Sequence, residues 1–424
     1  MLQTLKRIAL FNALLVILEV AAYLFLFQKA YYFPRAIVLL LVVQWIFLFV
    51  FGFILFIFWI IRMLQSKTHY FVMKKLIHTT LWLLIIPWII ALHIVISQMM
   101  TYSPNSNGIA EIVDVEINNS TQYYSVRGTH HENPVILFLS GGPGGAQMPA
   151  TREFLADLEE DYTIINWDQP GTGKSYDAIY RYDQMTPEHY ILDAHQLTDH
   201  LKQAYNQEKI YLIGESWGSY LAMELAYQYP EDYYAVIGTG QMVDFTQTEK
   251  DCYQFTLDLA RENNDEALIT RLEELGEPPY DGTGLSLRMN AYLTPIYMWM
   301  GMHQDITHQD WDTFDILISP EYSIWDSVGF VMGLLRTFEM IYPQLYERDL
   351  RETHTEFSIP VYIFQGKYDM NAPTYLAQDY MNQIHAPQKE IVIFEHSGHN
   401  PWIDEYERFN DEVRLKFQEH LYHA

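Results

Sequence analysis

Residues 8–27, 36–61 and 76–97 form three nearly uninterrupted apolar runs. Each is long enough, as a helix, to cross a hydrocarbon layer of roughly 30 Å, which takes about 20 residues. A helix packed inside a globular core seldom keeps every face apolar over such a length, so the pattern predicts three transmembrane helices. After residue 100 the pattern changes. Pro104, Asn105, Ser106 and Asn107 mark a polar, turn-rich linker. Alternation over 112–117 and again over 122–127 predicts an antiparallel hairpin at a sheet edge. Short, wholly apolar runs at 135–139, 162–167, 210–213, 235–237, 361–364 and 391–394 suit central parallel strands, buried on both faces. Helix-like stretches at 187–205 and 217–229 alternate with them, as in a doubly wound sheet. Between about 241 and 357 aromatic-rich helical stretches replace strands, which predicts a helical cap inserted over the sheet's carboxyl edge. The expected organisation is a three-helix membrane anchor over 1–100, an α/β core over 101–240 and 358–424, and a cap over 241–357.

Charge adds an orientation. Lys6, Arg7, Arg62, Lys67, Lys74 and Lys75 fall on one side of the expected membrane, against only Lys29 and Arg35 in the first loop, and no Lys or Arg follows the third run until Arg127. Basic residues mark the cytoplasmic side, so three crossings place the domain beyond residue 100 outside the cell, in a multi-pass cell-membrane protein. Lys6 and Arg7 would also suit a signal peptide, but Tyr23, Leu24, Phe25, Leu26 and Phe27 offer no small-residue cleavage site, and two further apolar runs follow. Eight basic residues and one acidic residue lie in the first hundred positions; eighteen and fifty-two lie beyond, a net −34. Such a domain repels nucleic acid and anionic lipid. Cys252 is the only cysteine, which excludes an intramolecular disulfide and a cysteine-rich zinc or iron–sulfur site, and no metal or cofactor is expected.

Candidate chemistry sits at the ends of the apolar runs. Residues 210–218 read Ile-Tyr-Leu-Ile-Gly-Glu-Ser-Trp-Gly, a strand followed by Gly-x-Ser-x-Gly and a helix-forming run. This is a nucleophile elbow: glycines at 214 and 218 permit a turn too tight for side chains, and Ser216 is held exposed at a helix amino end. A serine hydroxyl needs a base, and the base an orienting acid. Asp369 follows the run at 361–364 and His399 the run at 391–394, in the order Ser, Asp, His. His396 lies nearer the strand, whereas Ser397 and Gly398 give His399 the loop reach a base requires. The oxyanion formed during attack needs backbone donors: Trp217, just after the nucleophile, and Gly141 and Gly142 in the Ser-Gly-Gly-Pro-Gly-Gly loop after 135–139. Residues 168–175 end in Gly-Thr-Gly-Lys-Ser, but a phosphate-binding loop requires glycine where Asp168 stands, so no nucleotide is expected.

Taken together, Gly-Gly-Pro-Gly at 141–144, Trp-Asp-Gln-Pro-Gly-Thr-Gly-Lys-Ser at 167–175, Gly-Glu-Ser-Trp-Gly at 214–218, Leu-Gly-Glu-Pro-Pro-Tyr at 275–280 and Ser-Gly-His at 397–399 resemble the proline iminopeptidases and related aminopeptidases among the α/β-hydrolases, over about 110–424. Ser140 stands where that family usually has histidine, and Pro170 where it usually has arginine. The resemblance implies an α/β-hydrolase fold and release of an amino-terminal residue, often proline, from a short peptide. A cap carboxylate would then meet the substrate's cationic α-amine, with Glu249 and Glu339 as candidates. Tyr253, Trp299, Trp311 and Trp325 are candidate walls of a proline-sized pocket, or cap core. The same triad would also serve an esterase or lipase taking small acyl esters near the membrane, and a silent hydrolase fold would serve only to bind.

Overall fold

The computed structural model describes residues 108–181, 184–309, 311 and 313–421. The three apolar runs expected to cross a membrane, at 8–27, 36–61 and 76–97, lie outside them. Among the described residues no helix is long and apolar enough to cross a membrane. One compact unit comprises Pro104–Ile316 and Trp325–Ala424 and holds the sheet; Leu317–Ile324 belongs to a second.

The expected strands all form, most of them longer than the apolar runs alone indicated. They are β1 Ile109–Ile117, β2 Ser120–Gly128, β3 Val135–Leu139, β4 Thr163–Asp168, β5 Ile210–Glu215, β6 Tyr233–Thr239, β7 Val361–Gly366 and β8 Lys389–Phe394. One eight-stranded sheet results, in the order β1-β2-β4-β3-β5-β6-β7-β8. β1, β2 and β4 pair antiparallel, and the strands from β4 through β8 pair parallel. At the carboxyl ends of β4, β5, β6 and β7 the strands extend through polar or small residues, among them Asp168, Glu215, Thr239 and Gly366, which hydrophobicity could not assign.

Alternation along the strands splits the core in two. Leu137, Leu139, Leu212, Val236, Val361 and Ile363 face one side, where helices Pro187–Ala204 and Trp217–Gln228 pack. Ile136, Phe138, Ile213, Ile237, Tyr362 and Phe364 face the other, against Trp402, Phe409, Val413 and Phe417 near the carboxyl terminus. Between β6 and β7 the described segments are helical: Phe245–Glu262, Glu266–Leu275, Leu285–Met302, Ile324–Met332 and shorter turns through Leu350–Thr353.

Register aligns the carboxyl ends of the parallel strands. Leu139 pairs with Gly214, Glu215 with Thr239, Thr239 with Phe364, and Gly366 with Phe394. Loops leaving β3, β5, β6, β7 and β8 therefore open on one rim, the place where open parallel sheets bind ligands.

Phe138 is fully buried at the middle of the sheet, its ring centroid 5.0 Å from that of Trp402. Phe138→Ala is expected to lower unfolding stability by about 3–5 kcal/mol, measured by urea titration; a loss under about 1 kcal/mol would mean this second core layer contributes little.

Candidate active site at the carboxyl edge of the sheet

Ser216 lies between β5 and the helix beginning at Trp217, with φ 53° and ψ −122°. That backbone is unfavourable for a residue with a Cβ and persists only when its surroundings impose it. Here the Ser216 amide donates to Thr239 O at 2.9 Å, and its carbonyl accepts the Ser219 amide at 2.8 Å. The flanking glycines are required sterically: a Cβ on Gly214 would lie 2.2 Å from Gly218 O, and one on Gly218 2.0 Å from Leu139 O. The elbow is thereby pressed onto the end of β3, beside the glycine-rich loop.

Asp369 and His399 come together as expected. His399 Nδ1 donates to Asp369 Oδ2 at 2.9 Å, and the pair is nearly inaccessible, with 5% and 0% of side-chain surface exposed. Asp369 Oδ1 accepts the amides of Asn371 and Ala372 at 2.9 and 2.8 Å, and Oδ2 accepts Gln365 Nε2 at 2.8 Å. These donors hold the carboxylate aimed at the ring. Burial is the largest single influence and disfavours the charged imidazole, but the Asp369 carboxylate, Glu215 and Asp404 together outweigh it, so the His399 pKa lies above its ordinary value. His399 Nε2 lies 3.0 Å from Asn371 Nδ2 and 3.7 Å from Glu215 Oε1. Among the described residues no hydrogen bond joins Nε2 to Ser216 Oγ, although both residues line one cavity of about 630 Å³. His396, the sequence rival, turns elsewhere, its Nδ1 3.0 Å from Asp305 O.

The oxyanion loop differs in one respect from the expectation. The Gly141 amide donates to Glu215 Oε2 at 2.8 Å, so of the three expected donors this one is already engaged. Gly142 and Trp217 line the cavity beside Ser216, and Trp217 opens a helix, where amides have no intrahelical acceptor. Glu215 fills the first of the two unspecified positions of Gly-x-Ser-x-Gly, so the motif assigned it nothing. Asn371 and Gln169 escaped notice for a similar reason: their contacts are made across the fold. Gln169 Nε2 donates to Ser140 O at 2.8 Å while its Oε1 accepts Trp217 Nε1 at 2.9 Å, tying the oxyanion loop to the elbow. The segment that resembled a phosphate-binding loop is thus a clamp, in which Asp168 Oδ2 accepts the Lys174 amide at 2.9 Å and Thr172 Oγ1 donates to Gly144 O at 2.8 Å.

The cap rests on both loops through small residues. A Cβ on Gly333 would lie 2.6 Å from Gly144 O and 2.7 Å from Gly171 O; Thr337 Oγ1 donates to Gly171 O at 2.8 Å, and Lys174 Nζ meets Asp326 at 2.9 Å. Of the two candidate amine partners, Glu249 lines the cavity and Glu339 does not; Glu339 is half-buried on the short helix Phe338–Ile341. Glu249 accepts the hydroxyls of Tyr292 and, at 2.5 Å, Tyr342. Its burial, only partly offset by those bonds, pushes the pKa up to about 7. None of the four candidate aromatic walls lines this cavity. Tyr253 is buried and bonds Leu272 O, Trp299 packs on Phe255, Trp311 packs on Phe154, and Trp325 is 80% exposed. Phe245, Tyr297, Phe330, Phe338 and Tyr342 take that place, because helix rotation rather than residue type decides which rings face inward.

A model described as the alpha/beta hydrolase fold matches residues 134–263, the segment carrying the oxyanion loop and the elbow. A Bacillus subtilis (strain 168) protein named "Probable aminopeptidase YbaC" is 29% identical over 75% of this chain and 99% of its own length. A proline iminopeptidase of Saccharolobus solfataricus is 24% identical over 74% of this chain and 94% of its own. The chain is thus similar to the proline iminopeptidases and related aminopeptidases, and the matched segment carries the α/β-hydrolase fold. The crystal structure of a proline iminopeptidase from Mycobacterium smegmatis superposes with a TM-score of 0.55 at 18% identity, covering 73% of this chain and 98% of that one, which is agreement of fold. The chain is accordingly a hydrolase of the serine type. This iminopeptidase-like chain accommodates its two departures locally: Ser140 Oγ accepts Asn166 Nδ2 at 3.1 Å, and Pro170 O accepts the Tyr190 hydroxyl at 2.6 Å.

Glu249 makes the hydrolase's stability depend on pH. Its folded pKa of about 7 exceeds the ordinary 4.5, so the native state binds the extra proton and stability falls as pH rises through that window. Glu249→Gln removes this dependence: between pH 4.5 and 7 the parent is expected to lose roughly 3 kcal/mol more than the variant, read from urea unfolding at each pH. Parallel stability curves would show that Glu249 titrates normally.

Proposed function

We propose that this hydrolase is a membrane-anchored serine aminopeptidase that releases the amino-terminal residue, proline or similar, from short peptides through an acyl-enzyme on Ser216. The observation that carries the reading is one closed arrangement: Ser216, His399 backed by Asp369, and the buried acid Glu249 all face the same capped cavity. Residues 8–97 supply the anchor and the basic-residue bias places the catalytic domain outside the cytoplasm.

Ser216 Oγ attacks the scissile carbonyl carbon as His399 Nε2 takes its proton. The bond between Oγ and Nε2 closes when substrate displaces the resting contacts of the ring, a tightening usual between free and substrate-bound enzymes. Asp369 holds the Nδ1 proton and stabilises the imidazolium. The oxyanion is met by the Gly142 and Trp217 amides, each worth about 3 kcal/mol by analogy with other oxyanion holes. Collapse breaks the C–N bond, the departing amine takes the proton from Nε2, and water attacks the Ser216 ester by the same route to release the amino acid. A substrate ammonium near Glu249 would favour the ionised carboxylate and hold the amino terminus in the cavity, while the cap excludes a longer upstream chain.

An esterase reading is favoured by the apolar cap wall of the cavity, including Met289, Leu293, Phe330, Val331, Leu334 and Leu335, which would hold an acyl chain as readily as a hydrophobic side chain. Hydrolysis of a prolyl arylamide and of a simple aryl ester by the full chain separates the two. Arylamide turnover abolished in Ser216→Ala is expected; a strong ester rate with no arylamide turnover would replace the peptidase assignment. Asp369→Asn, which leaves the ring in the wrong tautomer, is expected to lower kcat by about 10⁴-fold, and a loss under tenfold in a steady-state assay would remove Asp369 from the triad.

A further inference from the structure

Glu215 is used by no step above, yet it sits at the centre of the site. Its side chain is 4% exposed; Oε2 accepts the Gly141 amide at 2.8 Å and Gln147 Nε2 at 2.9 Å, and Oε1 stands 3.7 Å from His399 Nε2. The contact with Gly141 is close enough that a Cβ there would lie 2.3 Å from Oε2. We infer that Glu215 is a positioning residue: its carboxylate pins the oxyanion loop through Gly141 and, facing Nε2 of His399, sets the pH above which that ring becomes a base. The inference rests on the proposed Ser216, His399 and Asp369 chemistry and deepens it by naming its regulation.

The nitrogen facing Glu215 is the one that takes the serine proton. Burial holds the Glu215 carboxyl above its ordinary range, offset in part by His399 and by the donors Gln147 and Gly141; once ionised, and shielded from water this close to the ring, it favours imidazolium. Other groups face the same ring and stay constant when Glu215 is changed. Asp369, on the loop after β7, bonds Nδ1; Asp404, beyond β8, accepts the Gly398 amide at 2.8 Å. Tyr297 from the cap helix Leu285–Met302 lines the cavity with Glu215, as does Glu249 from helix Phe245–Glu262, where Cys252 is also buried. Asn371 opposes Glu215, since its amide donates to the unprotonated ring. The balance lies with the acids, and the His399 pKa stands above its ordinary value. Removing the Glu215 charge therefore moves activation toward lower pH.

The test follows the rate of fluorophosphonate labelling of the full chain in detergent micelles across the range in which carboxyl and imidazole groups titrate, a readout that needs no knowledge of the substrate. In the parent the acid limb is expected above about 6.5, the free imidazole value. In Glu215→Gln, which keeps an acceptor for Gly141, the limb is expected about one pH unit lower, with the high-pH plateau retained. Glu215→Asp retains the charge and is expected to hold its limb near the parent's, a comparison that stands if the glutamine variant fails to fold. A limb in Glu215→Gln that coincides with the parent's, a displaced limb in Glu215→Asp, or a parent limb below about 6.5 overturns the inference. Labelling undiminished in Ser216→Ala overturns the nucleophile assignment and this inference with it; labelling that requires Ser216 but is indifferent to Glu215 overturns the inference alone.

Discussion

At Gly218 a methyl group would come within 2.0 Å of the Leu139 carbonyl oxygen, and at Gly214 within 2.2 Å of the Gly218 carbonyl. These two approaches set how near the elbow after β5 lies to the loop after β3, and the chemistry of the rim follows from that spacing. The same compression fixes Ser216 at φ 53°, a conformation held from two sides by the Thr239 carbonyl and the Ser219 amide. Backbone strain of about 1–3 kcal/mol at such a residue is sustained because neighbouring strands on both sides are buried and cannot yield.

Around this frame the molecule concentrates negative charge on a single imidazole. Asp369, Glu215 and Asp404 all favour the charged form of His399, while Asn371 contacts its Nε2. Glu249 is separate from this group, held by two tyrosine hydroxyls and burdened by burial, which leaves it ready to respond to a cation. Burial raises the pKa of Glu215, Asp404 and Glu249 alike, and the hydrogen bonds each accepts offset it only in part.

The cap is attached by close backbone contact. Gly333 lies on the carbonyls of Gly144 and Gly171, Gly329 on that of Gly173, and Lys174 reaches Asp326. Gln169 carries the connection inward to Ser140 and Trp217, so the loop at 168–175 links the cap to both oxyanion-donor elements.

Much of the fold, and the pairing of Asp369 with His399, was legible in the residues. The apolar runs located every parallel strand because burial on both faces leaves its mark in consecutive residues, and Gly-x-Ser-x-Gly located the elbow because its steric demand is local. The order of Ser216, Asp369 and His399 along the chain, with each just beyond a strand, sufficed to pair the last two. Contacts between distant segments were not legible. Nothing in the motif distinguishes Glu215 from any other residue at its unspecified position; only the packing of β5 against β3 brings its carboxylate to Gly141 and His399. Rotation of the cap helices likewise decided that Glu249 and not Glu339 faces the cavity, and that Tyr297 and Phe330 line it where Trp299 and Trp325 do not. The sequence by itself determined which elements form and where each reactive group falls along them, since those depend on neighbours a few residues away; the tertiary structure decided which groups meet, since a side chain's partners depend on register and packing that no local pattern records.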